Sequence, residues 1–215
     1  MTLKLRARRP EDKQERHEAI LKAARALFVR SSHLETTIAE VAQRAGVAKG
    51  TVFLYFATRE ALELAVLREE MTDFFQDFDA ALDEPGRWTN ARVTQVVSQA
   101  VSARPLLVRL LCRLETTLEH NVSDELREDF RKFLLEHVMS TGLRLERRLP
   151  SLDRNGGGIR LMIHVRALMA GLWMMAEAGP VISKALEKPG MSALRVDFDR
   201  EFEFCVATLL KGMDS

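Results

Sequence analysis

Two cysteines in 215 residues, Cys112 and Cys205, are too few for a disulfide framework, and a chain of this length can build its core without one. Each lies inside an apolar helical pattern and reads as buried and reduced, a redox switch being the alternative. Long hydrophobic runs are scarce too. The longest clean one, Ala167 to Ala176, falls well short of the roughly 20 residues that cross a bilayer, so no membrane partner is expected. The basic start, Met1 to Pro10, has no apolar segment behind it, which argues against a secretory signal and for a cytoplasmic location. Alternation of apolar and polar residues, the mark of a half-buried strand, is missing, as are internal repeats and low-complexity tracts. The sequence is also poor in enzyme signatures. Gly156-Gly157-Gly158 follows no strand and reads as part of a Pro150–Gly158 linker. His17, His33, His120, His137 and His164 never fall in a Glu-x-x-His spacing, and no nucleophile elbow occurs. No enzyme, metal or cofactor is expected.

What is present is helix. Apolar residues make up 47% and charged residues 29%, ordinary for a folded domain. The net charge is +1 but unevenly spread: residues 1–60 carry 12 Lys/Arg against 7 Asp/Glu, and residues 61–215 carry 20 against 24. A basic N-terminal part points weakly to nucleic acid. A first helix from Pro10 or Glu11 would bury Ile20, Ala23, Ala24, Leu27 and Phe28, spaced i, i+3, i+4, i+7, i+8, and stop near Ser31-Ser32. Thr37 with Glu40 three residues on is a capping box that opens a second helix ending at Ala45-Gly46. A short helix follows over Lys49–Tyr55, and a longer one after Thr58 carries Met71, Phe74, Phe75, Phe78, Ala81 and Leu82 up to the break at Pro85-Gly86. Later stripes are Leu107, Leu110, Leu111, Leu114, Leu118; Leu126, Phe130, Phe133, Leu134 behind a Ser123 cap; the almost wholly apolar Ile159–Ala178; and Phe198, Phe202, Cys205, Val206, Leu209, Leu210. The fold class is all-α.

Residues Thr36–Leu62 carry the function. Two helices that cross closely need a small residue at the crossing, and Ala42 supplies it; the tight turn needs a residue tolerant of positive φ, and Gly46 supplies that. Ile38, Val41, Val47 and Val52 hold the pair together, leaving Lys49, Thr51 and Tyr55 on an outer face able to meet DNA.

From about residue 15 to 65 the sequence resembles the N-terminal domain of the tetracycline-repressor (TetR) family. The matched features are the Ala-rich first helix ending in Leu27-Phe28, Thr-Thr-Ile-Ala-Glu-Val-Ala, Ala-Gly-Val-Ala-Lys-Gly-Thr, the cluster Phe53-Leu54-Tyr55-Phe56 and Thr58-Arg59-Glu60-Ala61-Leu62. The resemblance implies a helix-turn-helix domain over 1–57 and a regulatory and dimerisation domain over 58–215. It implies that Thr37 meets a phosphate at a helix N-terminus, that Lys49 and Thr51 open the recognition helix, and that Gly50 permits close approach. Tyr55 would reach a phosphate or base edge, and Arg59 would clamp a phosphate. Phe53 stands where the family usually has Tyr, so packing or a thymine-methyl contact is expected there, with Phe56 in the core. For the arm Lys4, Arg6, Arg8 and Arg9 two readings stay open, a minor-groove contact or a free tail.

The resemblance further implies a homodimer through the last two long helices, Gly171 allowing close approach, which suits a palindromic double-stranded operator. It also implies a small-molecule effector that shifts the fourth helix. Candidate lining residues are Phe74, Phe78, Leu111, Phe133, Met169 and Trp173, which equally read as plain core. His137, on the same face, reads as a satisfied core histidine. Arg166 needs a partner: Glu115, a carboxylate across the dimer, or an anionic ligand end. A repressor released by a mainly apolar effector follows; the alternative is a C-terminal platform for a protein partner.

Overall fold

The computed structural model describes residues 10–30, 36–152, 156–177 and 179–213. Ten α-helices occur among them, with no strand: α1 (Pro10–Arg30), α2 (Ile38–Ala45), α3 (Lys49–Tyr55), α4 (Arg59–Asp83), α5 (Asn90–Ser102), α6 (Pro105–Arg113), α7 (Asp124–Arg148), α8 (Gly157–Ala176), α9 (Pro180–Leu186) and α10 (Phe198–Met213). A π-helical turn, Leu114–Leu118, extends α6, and short 3₁₀ turns cover Pro150–Leu152 and Ser192–Leu194. The helix starts follow local chemistry. Thr37, Thr58, Thr89 and Ser123 each accept a backbone N–H from the residue three positions on, satisfying a donor that the first turn leaves unpaired.

Helices α1, α2 and α3 close a small core of Ile20, Ala24, Phe28, Val41, Ala42, Val52 and Phe56. The remaining helices form a larger bundle, with α7 along α8 and α10 against α5 and α8. Helix α4 belongs to both. Ala61, Leu62, Glu63 and Leu64 are consecutive and all buried, so the helix is enclosed on every side there. Arg25 of α1 ties the two parts together through Glu70 at 2.6 Å and Asp73 at 2.9 Å on α4. Arg109 of α6 does the same by donating to the Phe28 carbonyl at 3.0 Å.

Three features depart from the sequence reading. Helices α5 and α9 were not anticipated: α5 turns Val93, Thr94, Val97, Ser98 and Val101 inward, a stripe diluted by polar and β-branched residues, and seven-residue α9 is too short to show a period. Gly157 and Gly158 are buried in the first turn of α8, not in a linker. A Cβ on Gly158 would lie 2.0 Å from the Gly142 carbonyl oxygen, and one on Gly157 would lie 2.3 Å from that of Leu152. The backbones of α7 and α8 therefore touch, an approach that glycine alone permits. Finally, α8 is long and apolar enough to cross a membrane by length and composition, although its longest clean apolar run is shorter. It is apolar on two sides: Leu161, Met162, Val165 and Met169 face the core, while Ile163, Met174 and Met175 are exposed.

Candidate nucleic-acid interface and effector core

The hairpin is built as its sequence dictates. The Thr37 hydroxyl accepts from the Glu40 N–H at 3.3 Å, while the Thr37 N–H donates back to the Glu40 carboxylate at 2.7 Å. Gly46 takes φ 69°, and Val47 closes the turn by donating to the Ala42 carbonyl at 3.0 Å. Ala42 and Val52 are buried between the helices.

On α3, Lys49, Gly50, Phe53 and Leu54 are exposed, while Thr51 and Tyr55 are half-buried. Space around Gly50 is open. The most outward apolar side chain is Leu54, 83% exposed, which sequence reasoning passed over as one member of an aromatic cluster. Its signal was its spacing: Gly50, Phe53 and Leu54 fall at i, i+3 and i+4 on one face. Tyr55 leans toward α1, its ring 6.2 Å from His17, which in turn lies 5.1 Å from the buried Phe56. At α2 the Thr37 hydroxyl already donates to the Glu40 carboxylate at 2.8 Å. The Thr37 N–H and hydroxyl together hold that carboxyl below the usual range. The basic arm, Lys4 to Arg9, lies outside the described residues.

Arg59 at the start of α4 is a third exposed, and its Nε donates to Glu63 Oε1 at 2.7 Å. Glu63 is fully buried, and its other oxygen takes Arg113 Nε at 3.0 Å. Sequence reasoning missed Glu63, which sits one turn after Arg59 and whose burial no local pattern marks.

In the bundle, Phe74, Leu111, Arg166 and Met169 meet around one apolar seam, with Met71, Phe75, Leu107, Leu134, Val138, Met162 and Val165. Its volume is about 30 Å³, the share of a single water. Four other candidates do not line the seam themselves, although two of them stack on residues that do. Phe78 stacks on Phe74 at 5.8 Å, and Trp173 meets Phe198 edge-on at 5.1 Å. His137 stacks on Phe75 at 4.9 Å and meets Phe133 edge-on at 4.5 Å, with the Arg68 guanidinium 4.6 Å over Phe133. The Glu115 side chain lies outside the described residues. A far larger hollow, about 1070 Å³, opens between α1, α4 and the start of α7; it is floored by Leu21, Ala61, Leu64, Leu126 and Phe130 and rimmed by charge. Both cysteines are free and half-buried where full burial was expected, each sitting at the edge of its helix's apolar stripe; burial still pushes the Cys112 thiol up to about 11, which suits a reduced, inert group.

Residues 20–66 match the family model described as bacterial regulatory proteins, tetR family, and residues 68–215 match the tetracyclin repressor-like C-terminal domain. The chain is 26% identical over 74 residues to the fatty acid metabolism regulator protein of Bacillus subtilis, an alignment spanning 34% of this chain and 38% of that protein. The fatty acid degradation regulator FadR from Bacillus halodurans superposes with a TM-score of 0.56 at 16% identity, covering 96% of this chain and 98% of that one. The transcriptional regulator FadR from Bacillus subtilis, solved in complex with stearoyl-CoA, superposes with a TM-score of 0.51 at 21% identity, covering 90% and 97%. At these identities the superpositions speak for the fold.

Proposed function

The chain belongs to the TetR family of DNA-binding transcriptional regulators, and from that premise we propose that it is a homodimeric repressor which a small, mainly apolar effector releases from a palindromic operator. The observation that carries this reading is the continuity of α4. Arg59 at its start stands beside the hairpin, and Phe74, about 22 Å further along at 1.5 Å per residue, lines the seam of the bundle. One rigid helix thus belongs to the DNA-binding unit, residues 1–57 with Arg59, and to the regulatory unit, residues 58–215.

Lys49, Gly50, Thr51, Phe53 and Tyr55 on α3, with Thr37 and Arg59, form the DNA surface in this reading, and exposed Leu54 joins them as an apolar contact. The dimer face is the exposed stripe Ile163, Ala167, Gly171 and Met174 on α8 with Phe204 and Thr208 on α10. Cβ space at Gly171 is empty in the single chain, room that a partner helix can fill. The protein works in the cytoplasm.

The seam is too small for an acyl chain, so an effector enters by moving α6 or α8 away from α4, and binding is coupled to motion by necessity. Its apolar lining with Arg166 at the edge suits a long chain with an acidic end. A B. subtilis structural neighbour holds stearoyl-CoA, so long-chain fatty acids and their CoA thioesters are the first probes. The test is titration of the purified protein against DNA flanking its own gene, with scrambled competitor, before and after adding these probes. Specific binding as a dimer, weakened about 5- to 150-fold by one probe, is expected. A monomer by light scattering, or specific DNA binding that every probe leaves unchanged, overturns the dimer or the effector class respectively.

A second reading makes the C-terminal domain a platform for a protein partner. The exposed stripe Leu135, Met139 and Leu143 on α7 favours it, since four-residue spacing sets these side chains in one row.

A further inference from the structure

We propose that Glu63 and Arg113 are positioning residues through which the regulatory domain decides whether Arg59 is available to DNA. The inference deepens the reading above and rests on its assignment of Arg59 to a backbone phosphate.

Glu63 is a carboxylate with no exposure, and it has two arginines, one from each functional unit. A buried carboxylate stripped of all its cations is strongly unfavourable, so Glu63 must keep at least one. With Arg113 in place it can release Arg59, whose side chain is a third exposed and lies at the hairpin end of α4. Without Arg113, departure of Arg59 would leave the charge bare, and Glu63 holds Arg59 back.

Arg113 is the last residue of α6, directly before the π-helical turn. The same helix lines the seam through Leu107 and Leu111. A ligand that displaces α6 therefore draws Arg113 off Glu63, Glu63 recaptures Arg59, and a phosphate contact is lost. Coupling passes through two ion pairs sharing one buried carboxylate, with no change of secondary structure required.

The experiment measures affinity for a short mixed-sequence duplex, and for DNA flanking the gene, across a salt series. Each phosphate contact contributes about 0.9 to the slope of log affinity against log salt, so between about 50 and 200 mM salt one contact is worth about 3.5-fold per protomer. Arg59→Gln is expected to lower the slope by that amount. Arg113→Gln is expected to lower it equally, although Arg113 is placed off the DNA, while Arg113→Lys retains it. The double variant Glu63→Gln, Arg113→Gln is expected to regain the slope, because a neutral amide no longer traps Arg59. Glu63→Gln alone is expected to keep the slope and bind more tightly, which provides a readout if Arg113→Gln does not fold.

A lowered slope for Arg59→Gln with an unchanged slope for Arg113→Gln overturns the coupling and leaves the DNA contact standing. Equal loss in Arg113→Gln and the double variant marks plain structural damage and also overturns it. Weaker binding by Glu63→Gln does the same. An unchanged slope for Arg59→Gln removes the phosphate contact itself, and the coupling with it.

Discussion

The hairpin and the bundle are specified over different distances in the chain. In residues 36–56 each decision is made by a near neighbour: Thr37 and Glu40 close the capping box, and Gly46 turns the chain so that Val47 reaches the Ala42 carbonyl. In the bundle the deciding contacts join distant residues. Gly142 meets Gly158, Arg148 donates to the Leu82 carbonyl, and Ser102 donates to Asp199 across 97 positions. Function divides in the same way. The hairpin acts through what it leaves exposed, which helical spacing gives at once. In the proposed reading the bundle acts through what can open, which depends on how four helices, α4, α6, α7 and α8, close on one another.

The largest effect is expected where that long-range packing is tightest. Gly158→Ala forces a Cβ to within 2.0 Å of the Gly142 carbonyl oxygen, a backbone atom that cannot rotate away. Overpacking of this kind costs about 3 kcal/mol, read as a lowered urea midpoint. Gly171→Ala in the same helix is the control. Its Cβ meets nothing within 4 Å, so helix propensity should stabilise the protomer by up to ~1 kcal/mol while the dimer, if it closes over this position, weakens. A mild Gly158→Ala would mean that α7 and α8 separate easily, and the contrast between the two regions would shrink.

Much of this was open to reading from the sequence, within a limit set by distance. The caps at Thr37 and Ser123, the left-handed Gly46 and the bounds of α3 all rest on residues within one helical turn, and the structure has them as expected. Helix α5 escaped because Thr94 and Ser98 interrupt its valine stripe, and a stripe is recognisable only when its apolar members dominate. The seam was half legible. Phe74, Leu111, Arg166 and Met169 meet there, while Phe78 and His137 stack behind the seam residues Phe74 and Phe75, and Phe133 and Trp173 find partners outside it. A stripe says that a side chain is buried, and not which partner it is buried against. Glu63 was invisible for the same reason, since one of its two arginines comes from 50 residues away.

The local side of the comparison can be tested with a smaller effect. Thr37→Ala removes the hydroxyl that caps α2 and one of the two hydrogen bonds on the Glu40 carboxylate, leaving the backbone N–H bond in place, at a cost of about 1 kcal/mol in thermal unfolding. Because the hydroxyl is already engaged, the salt slope of DNA binding should change less than in Arg59→Gln. An equal change in slope would show that Thr37 gives up its cap to meet a phosphate.

The smallest effect lies where the two regions face each other. Glu69 of α4 lines the hollow beside α1, and burial, outweighing the attraction of Arg25 and reinforced by Asp73, Glu70 and Glu18, raises its carboxyl above the ordinary value. A group whose pKa is higher folded than unfolded binds its proton more tightly in the native state. Its stabilising contribution is therefore present at acid pH, below the unfolded value, and is lost as pH rises through the folded value. At neutral pH the ionised Glu69 works against folding, and Glu69→Gln removes that penalty while keeping the shape. The variant is expected to melt slightly higher than the wild type at pH 7, with the gap closing as pH falls below the usual glutamate range. A gap that persists at acid pH would trace the gain to packing. A variant that melts lower at pH 7 would mean that Arg25 spans the hollow to hold Glu69, and that the join between hairpin and bundle is tighter than its open walls suggest.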